Sequence, residues 1–563
     1  MVLVRALMVV ALLAAWPVAA ASAQTGPSGL PSHFAFGLGG GQGDTWMPQS
    51  GIPWDFRMQY LAGGVNTGHG WETWNPNGTF ALNYAQESAQ HGYIPVLPYY
   101  ELLQSNGNCG NCAENKKDIS NLNDNGLMRA YYANFALLMK RLGSGTYDGV
   151  QGFGKLVLVN VEPDFVGGYA VQAVNNGVCF GFCTGRGNDP SLLEASVNSS
   201  GFNDVAGIPD TYVGFTKALA HLRDLYAPNV LLGYDVSSWA TGTDIGLDTN
   251  PNTDVAGLGR EVGMFFSQLG AHEVLFNDPL DRDAGQYKVQ FGQNRWWDRL
   301  NVAVPNFARW EQYLTATVSA DGSKPMLLWQ VPAGNQYFQS EDNTNGHFQD
   351  NRAEYIFGHV PELIQAGIVG AIFAPGNAGS TAWGDTMKDG VTNPPPICTS
   401  DGLSSGQICN DHPSSVSDDD GGYLRMMGQA YYQNPVALSG APAAAAAPTP
   451  ASVPPLQVTL GGAGLDSDTA TAGQDVSIHQ DFSVNADATV LVDYELYNAS
   501  GDKVWQLAHD NVALQAGQAS DTAVFTVPDS LGPGVYTFKS GVFSAGWGTL
   551  YAWNDQVGTL TVD

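Results

Sequence analysis

Lys155-Leu-Val-Leu-Val-Asn-Val-Glu-Pro-Asp164 is an apolar run that ends in two carboxylates. Its aliphatic and β-branched residues follow one another without alternation. That pattern marks a strand buried on both faces, and such strands belong to parallel sheets. Pro163 ends the strand. A strand finishing in a carboxylate delivers that group to the C-terminal rim of its sheet, where α/β barrels and open sheets build their active sites. Glu162 is therefore the first catalytic candidate. The alternative is that Glu162 and Asp164 cap the following segment or pair with a nearby arginine.

Similar units lie on both sides of this stretch. Upstream, Phe34-Ala-Phe-Gly-Leu-Gly39 reads as a first strand, and the glycine-rich loop after it lacks the Lys-Ser or Lys-Thr of a phosphate loop. Residues 55–62 read as a short helix, 64–67 as a second strand, 81–91 as a helix and 93–98 as a third strand leading into Tyr99, Tyr100 and Glu101. Helical spacing recurs over 127–142. Downstream, helices are expected at 211–226, 255–269, 295–318, 353–366 and 422–432, with Pro305 kinking or dividing the third of these. Strands are expected at 230–235, 273–278, 325–330 and 367–374. About eight strand-then-helix units predict an α/β fold, a (β/α)8 TIM barrel. Long loops after the strands and tight joints before them predict one functional face. An open doubly wound sheet would be unusually large and lacks a dinucleotide fingerprint.

At 563 residues the chain exceeds what one hydrophobic core usually serves. Residues 1–23 read as a signal peptide: Arg5, an apolar stretch from Ala6 to Ala20, then Ala21-Ser22-Ala23. An uncleaved anchor is the alternative, which Pro17 and the short length disfavour. The barrel is expected over 24–436, an Ala/Pro-rich linker over 437–455, and a β-sandwich over 456–563, where short alternating strands are separated by Gly, Asn, Asp and Pro. A net charge of -30 excludes nucleic acid and anionic membrane surfaces as partners, because phosphates would be repelled. Only 13% of residues are charged, so the surface is largely neutral and polar, suited to an exported protein that handles neutral, hydroxyl-rich material. The cysteines fall in local pairs, Cys109 with Cys112, Cys179 with Cys183 and Cys398 with Cys409, which in an exported chain predicts disulfides. A zinc site made of the thiolates of Cys109, Cys112, Cys179 and Cys183 is the rival. No metal or organic cofactor, no later membrane span and a monomeric chain are expected.

The predicted rim carries Glu72, Glu101, Glu162, Asp164, Asp235, Asp278 and Asp281 among many aromatic residues. Sugar rings stack their C–H faces on aromatic planes, while their hydroxyls need amide, carboxylate and imidazole partners. Expected substrate contacts are Trp46, His69, Trp71, Tyr99, Glu101, Asn160, Asp164, Trp239, Trp329, Gln330 and Trp383; for each aromatic the alternative is loop core. Cleaving a glycosidic bond needs one carboxyl to protonate the leaving oxygen and a second to act as nucleophile or to activate water.

Asn160-Val-Glu162-Pro163 at the fourth strand, Trp329 at the seventh and Trp383 after the eighth resemble barrel glycoside hydrolases of the clan A type. The resemblance implies an acid/base at the fourth strand and a glutamate nucleophile at the seventh. Two departures matter. Val161 separates Asn160 from Glu162, a spacing closer to the Asp-x-Glu of chitinase-like barrels, and the seventh strand ends in Gln330, whose amide cannot serve as a carboxylate nucleophile. The partner of Glu162 is therefore sought in Asp278 first, then Asp235, then Glu101, each of which could instead cap a turn. The last domain, through Trp547, Tyr551 and Trp553, is similar to β-sandwich modules appended to secreted carbohydrate-active enzymes; an inter-domain spacer is the alternative. The expected activity is hydrolysis of a neutral poly- or oligosaccharide. A noncatalytic glycan-binding or cell-wall scaffold protein and a transglycosylase are the rivals.

Overall fold

The computed structural model describes residues 29–374, 379–400, 406–438, 457–501, 503–528, 530–544 and 550–563. The chain divides into two compact units between Ala444 and Ala445. The expected leader at 1–23 and most of the expected linker at 437–455 lie outside the described residues.

The first unit is built on eight parallel strands, β1 (Ala35–Gly39), β2 (Phe56–Met58), β3 (Ile94–Tyr100), β4 (Val157–Val161), β5 (Val230–Asp235), β6 (Val274–Asn277), β7 (Met326–Val331) and β8 (Ile368–Phe373). Each pairs with the next, and β8 pairs back onto β1 with Phe36 opposite Ala371, so the sheet closes into a TIM barrel. Strands β4, β7 and β8 are buried along their whole length, which is why their sequences are continuous apolar runs. Around them lie α1 (Phe80–Gln90), α2 (Glu114–Leu122), α3 (Asn125–Leu142), α4 (Ala170–Asn176), α5 (Tyr212–Tyr226), α6 (Val255–Phe266), α7 (Ala284–Phe291), α8 (Phe307–Ala320), α9 (Arg352–Gly358), α10 (Val360–Gln365) and α11 (Tyr423–Tyr431). Helix α3 starts where Asp124 accepts hydrogen bonds from the amides of Gly126 and Leu127, and it buries Leu127, Tyr131, Phe135 and Leu138 along one face.

Three expectations change. The second strand is Phe56–Met58, inside the segment read as a helix, while 64–67 is loop. Three residues are too few to show a period, and Arg57 at their centre is sealed in by Glu87 at 3.0 Å and the ring of Tyr84. Helix α8 begins only at Phe307, where Asn306 accepts from the amide of Arg309, so Pro305 precedes the helix instead of kinking it. The single helix expected over 353–366 is two, divided at His359 ahead of Pro361.

The second unit is an antiparallel β-sandwich. Strands β9 (Val458–Leu465), β10 (Asp475–Val484) and β13 (Gly517–Thr526) form one sheet; β11 (Ala488–Tyr497), β12 (Lys503–Leu514), β14 (Gly534–Ser544) and β15 (Leu550–Val562), with the short Thr469–Ala470, form the other. Phe525 of β13 meets Trp505 of β12 at 5.0 Å and Phe538 of β14 at 5.6 Å, joining the two sheets across their core. Strand β12 is an edge of its sheet and, among the described residues, pairs with β11 alone.

The six cysteines pair as expected: Cys109–Cys112, Cys179–Cys183 and Cys398–Cys409 are disulfides. No helix among the described residues is long and apolar enough to cross a membrane.

Candidate active site

The C-terminal rim of the barrel opens into a cavity of about 630 Å³. Asp164 enters it from the turn after β4, Asp278 and Asp281 from the loop after β6, and Gln330 from the end of β7. Tyr60, Tyr100, Tyr169 and Trp239 stand around them. Tyr60 packs 6.4 Å from Tyr100 and 5.8 Å from Trp329, and Tyr169 lies 4.8 Å from Trp239.

The turn after β4 makes this geometry. Glu162 has φ +43°, a left-handed conformation uncommon for a residue with a side chain. The strand's alternation therefore stops at Val161. The chain then enters a π-helical turn, Phe165–Tyr169, before α4. Two glycines let this turn approach β5 and its loop: a Cβ on Gly167 would lie 1.9 Å from the carbonyl oxygen of Asp235, and one on Gly168 would lie 2.1 Å from the Trp239 ring.

The consequence is that Glu162 stands away from the position expected of it. Its carboxylate does not line the cavity. It is fully buried and turned toward α3, accepting hydrogen bonds from the amides of Glu101 and Leu102 at 3.1 Å and from the hydroxyl of Tyr131 at 2.9 Å. Burial pushes its pKa up to about 8, against the pull of these three donors. The side chain that reaches the mouth from this turn is Asp164, two residues on.

Asp164 and Asp278 share one property that sets them apart. Among the described residues neither carboxylate accepts a hydrogen bond from another residue, although both line the cavity. Burial, then Glu114 and Asp281, pushes Asp164 up to about 7. Burial, then the charges of Asp235, Asp164 and Asp281, raises Asp278 well above the usual carboxylate range. Asp235 is buried and lies outside the cavity lining, bound by the indole N–H of Trp329 at 2.7 Å and the hydroxyl of Ser237 at 3.2 Å. Burial raises it as well, with the indole pulling the other way. Two carboxyls whose ionisation is suppressed, on strands two apart, form an arrangement capable of acid and base work.

Of the other expected contacts, Trp239 and Gln330 line the cavity. Gln330 also has positive φ, +49°, and its side-chain amide makes no hydrogen bond among the described residues. The rest lie elsewhere. Trp71 and Tyr99 are buried and both donate to the side-chain oxygen of Asn134 on α3, at 2.8 and 2.9 Å. Glu101 accepts from the amide of Gly64, and burial followed by Glu162 pushes it up to about 9. Asn160 is buried in β4 with neither amide atom partnered among the described residues. Trp46 donates to Asp418 under the guanidinium of Arg425, and Trp383 packs near Gly39. His69 is exposed, its carbonyl accepting from Trp74. In the sandwich, Trp547 lies outside the described residues, Tyr551 packs against the core, and Trp553 covers Gly541 while donating to Asp555 at 3.0 Å.

Sequence reasoning missed Tyr60, Glu114, Asp244 and Trp297 in the cavity wall. Glu114 opens α2 just after the Cys109–Cys112 loop and accepts from the hydroxyl of Tyr100 at 2.5 Å. Trp297 lies in a segment whose pattern reads as helix.

No protein-family model matches this chain, and no curated protein sequence matches it. Among solved structures, it is similar to the C-terminal domain of wzt (15% identity, 20% of this chain and 82% of that one, TM-score 0.16). It is also similar to Bacteroides uniformis β-glucuronidase (16% identity, 18% of this chain and 12% of that one, TM-score 0.13) and to a Paenibacillus sp. cycloisomaltooligosaccharide glucanotransferase (16% identity, 18% of this chain and 13% of that one, TM-score 0.14). The chain spans only about an eighth of the length of those two enzymes.

Proposed function

We propose that this protein is an exported glycoside hydrolase in which Asp278 is the general acid and Asp164 the nucleophile or base. The observation that carries the proposal is the pair of unpartnered carboxyls from the β4 and β6 ends, facing one aromatic-walled cavity. Asp278, crowded by three other carboxyls, gives its proton to the glycosidic oxygen as the bond from that oxygen to the anomeric carbon breaks. Asp164 either bonds to the anomeric carbon or takes a proton from the water that does so. Burial first, and then the carboxyls crowded around it, keep Asp278 protonated. Trp239 and Tyr60 supply the stacking planes. The three disulfides support export.

A panel of polysaccharides incubated with the full chain, read by the release of reducing ends, tests this. Product from at least one polymer, lost in Asp164→Asn and in Asp278→Asn, is expected. Tight glycan binding with no product from any polymer would replace it by the noncatalytic glycan-binding reading, which Gln330 in place of a carboxylate at β7 favours.

A further inference from the structure

We infer that the sugar this cavity holds is positively charged, an amino sugar with free ammonium groups, in place of the neutral saccharide that composition suggested. This rests on the hydrolase reading for the place of binding, not for the sign of the charge.

The cavity wall carries five carboxyls, Glu114, Asp164, Asp244, Asp278 and Asp281, against one cation, Arg295. That cation is already engaged: its guanidinium lies 4.7 Å over the Tyr287 ring and 3.8 Å from Asp244. Glu114, Asp164 and Asp278 have no ion-pair partner among the described residues. Asp281 meets its neighbour Arg282 at 3.2 Å and the Tyr287 hydroxyl at 2.5 Å, and Glu114 accepts from the Tyr100 hydroxyl. Carboxylates brought together in a partly dry space are costly unless a cation joins them.

Two further groups point to a ligand that hydrogen-bonds. Gln330, 9% exposed, presents an amide with no partner among the described residues, and Ser238, 8% exposed, has an unpartnered hydroxyl. Both line the cavity. Aromatic faces beside the acids favour an organic cation, because an ammonium is drawn to a ring face and a pyranose stacks on it. A bare metal ion fits less well: among the described residues no three His, Cys, Asp or Glu side chains converge to hold one. An anionic sugar would be repelled.

The test uses the full chain with glucosamine and galactosamine oligomers carrying free amines, and with the same oligomers after complete N-acetylation, below the amine pKa. Binding is followed by calorimetry. The free-amine form of at least one oligomer should bind about ten-fold more tightly or better, and the difference should shrink as salt is raised. Glu114→Gln should lower the ratio of the two affinities; the wild-type comparison stands without the variant. Equal or tighter binding of the acetylated forms overturns the inference. So does competition by oligolysine as effective as that of the amine oligomer, because the net charge of -30 would then explain the attraction. Cleavage of neutral polymers without an amine preference overturns this inference and leaves the hydrolase reading standing. An amine preference with no cleavage of any polymer keeps the inference and removes the hydrolase reading.

Discussion

Glu162 and Tyr131 are joined by a 2.9 Å hydrogen bond that ties the carboxylate ending β4 to the inner face of α3. With the amides of Glu101 and Leu102 it makes a buried clasp between β3, β4 and the helix layer. Such a group holds the barrel's shape, and Asp164 two residues later is free to face the mouth.

The clasp predicts that Glu162 variants fail in stability. In Glu162→Gln the amide oxygen can hold the Oε1 position where the three donors converge, but the NH2 then replaces Oε2 beside the amide of Leu102, and a buried unsatisfied donor costs about 1–3 kcal/mol. Tyr131→Phe removes one bond and should cost about 1 kcal/mol. Thermal unfolding followed by circular dichroism should show both lowered, the first by more. A Glu162→Gln protein that melts like the wild type but no longer turns over substrate would return Glu162 to the chemistry.

How much of this is readable from sequence follows from local physics. The long aliphatic strands announce themselves because both faces are buried, and they carry the barrel with them. Strand β2 does not, because Phe56-Arg57-Met58 is short and centred on a charge. The reading of Glu162 assumes that strand alternation runs on past Val161; a positive φ at a glutamate breaks it, and nothing in the residue type signals that. Asp164 and Asp278 are legible as acids closing strands. Tyr60, Glu114 and Asp244 are not, since loop residues meet only through the closure of the barrel and carry no period of their own.

The acid pair predicts opposite signs for activity and stability. Asp164→Asn and Asp278→Asn should each lower kcat by roughly a hundred-fold or more, the scale of acid and base contributions. Each also removes a source of repulsion from a crowded cavity, so the melting temperature should hold or rise. Activity per folded molecule and Tm measured on the same preparations check both. A loss of activity accompanied by a fall in Tm would point to a structural role instead.

Stability should fall as pH rises through the neutral range. Asp283, fully buried, is pushed up to about 8 by burial and by Asp350; Asp420 is pushed to about 7 by burial, against the amides of Leu424 and Gly422, and Asp164 also to about 7. Each binds its proton more tightly in the folded chain than in the unfolded one. Their contribution is therefore complete below the unfolded carboxyl pKa near 4, and is lost as pH climbs toward 7 or 8. The slope is about 1.4 kcal/mol per pH unit for each such group. Tm should accordingly be higher at pH 5 than at pH 8 at constant ionic strength. Turnover runs against this trend on its acid side, because Asp164 must be ionised to act, so the rate should rise through the same interval in which stability declines. A Tm that increases steadily from pH 5 to pH 8 would contradict the assigned directions.

Trp239 offers the cleanest test of the cavity as a sugar site, because its position depends on a single missing methyl group. A Cβ at Gly168 would fall 2.1 Å from the indole, so Gly168→Ala must push the ring out of place. Trp239→Ala removes the stacking face outright. Ring stacking of this kind is worth up to about 1.5 kcal/mol, close to ten-fold in affinity. Both variants should therefore raise KM by up to about ten-fold while kcat changes little, since the acid pair stays where it is. Gly168→Ala should also shift the intrinsic tryptophan emission, reporting that the indole has moved. If KM is unmoved in both variants although the emission of Gly168→Ala shifts, the ring does not touch the substrate and the stacking face must be sought at Tyr60 or Tyr100.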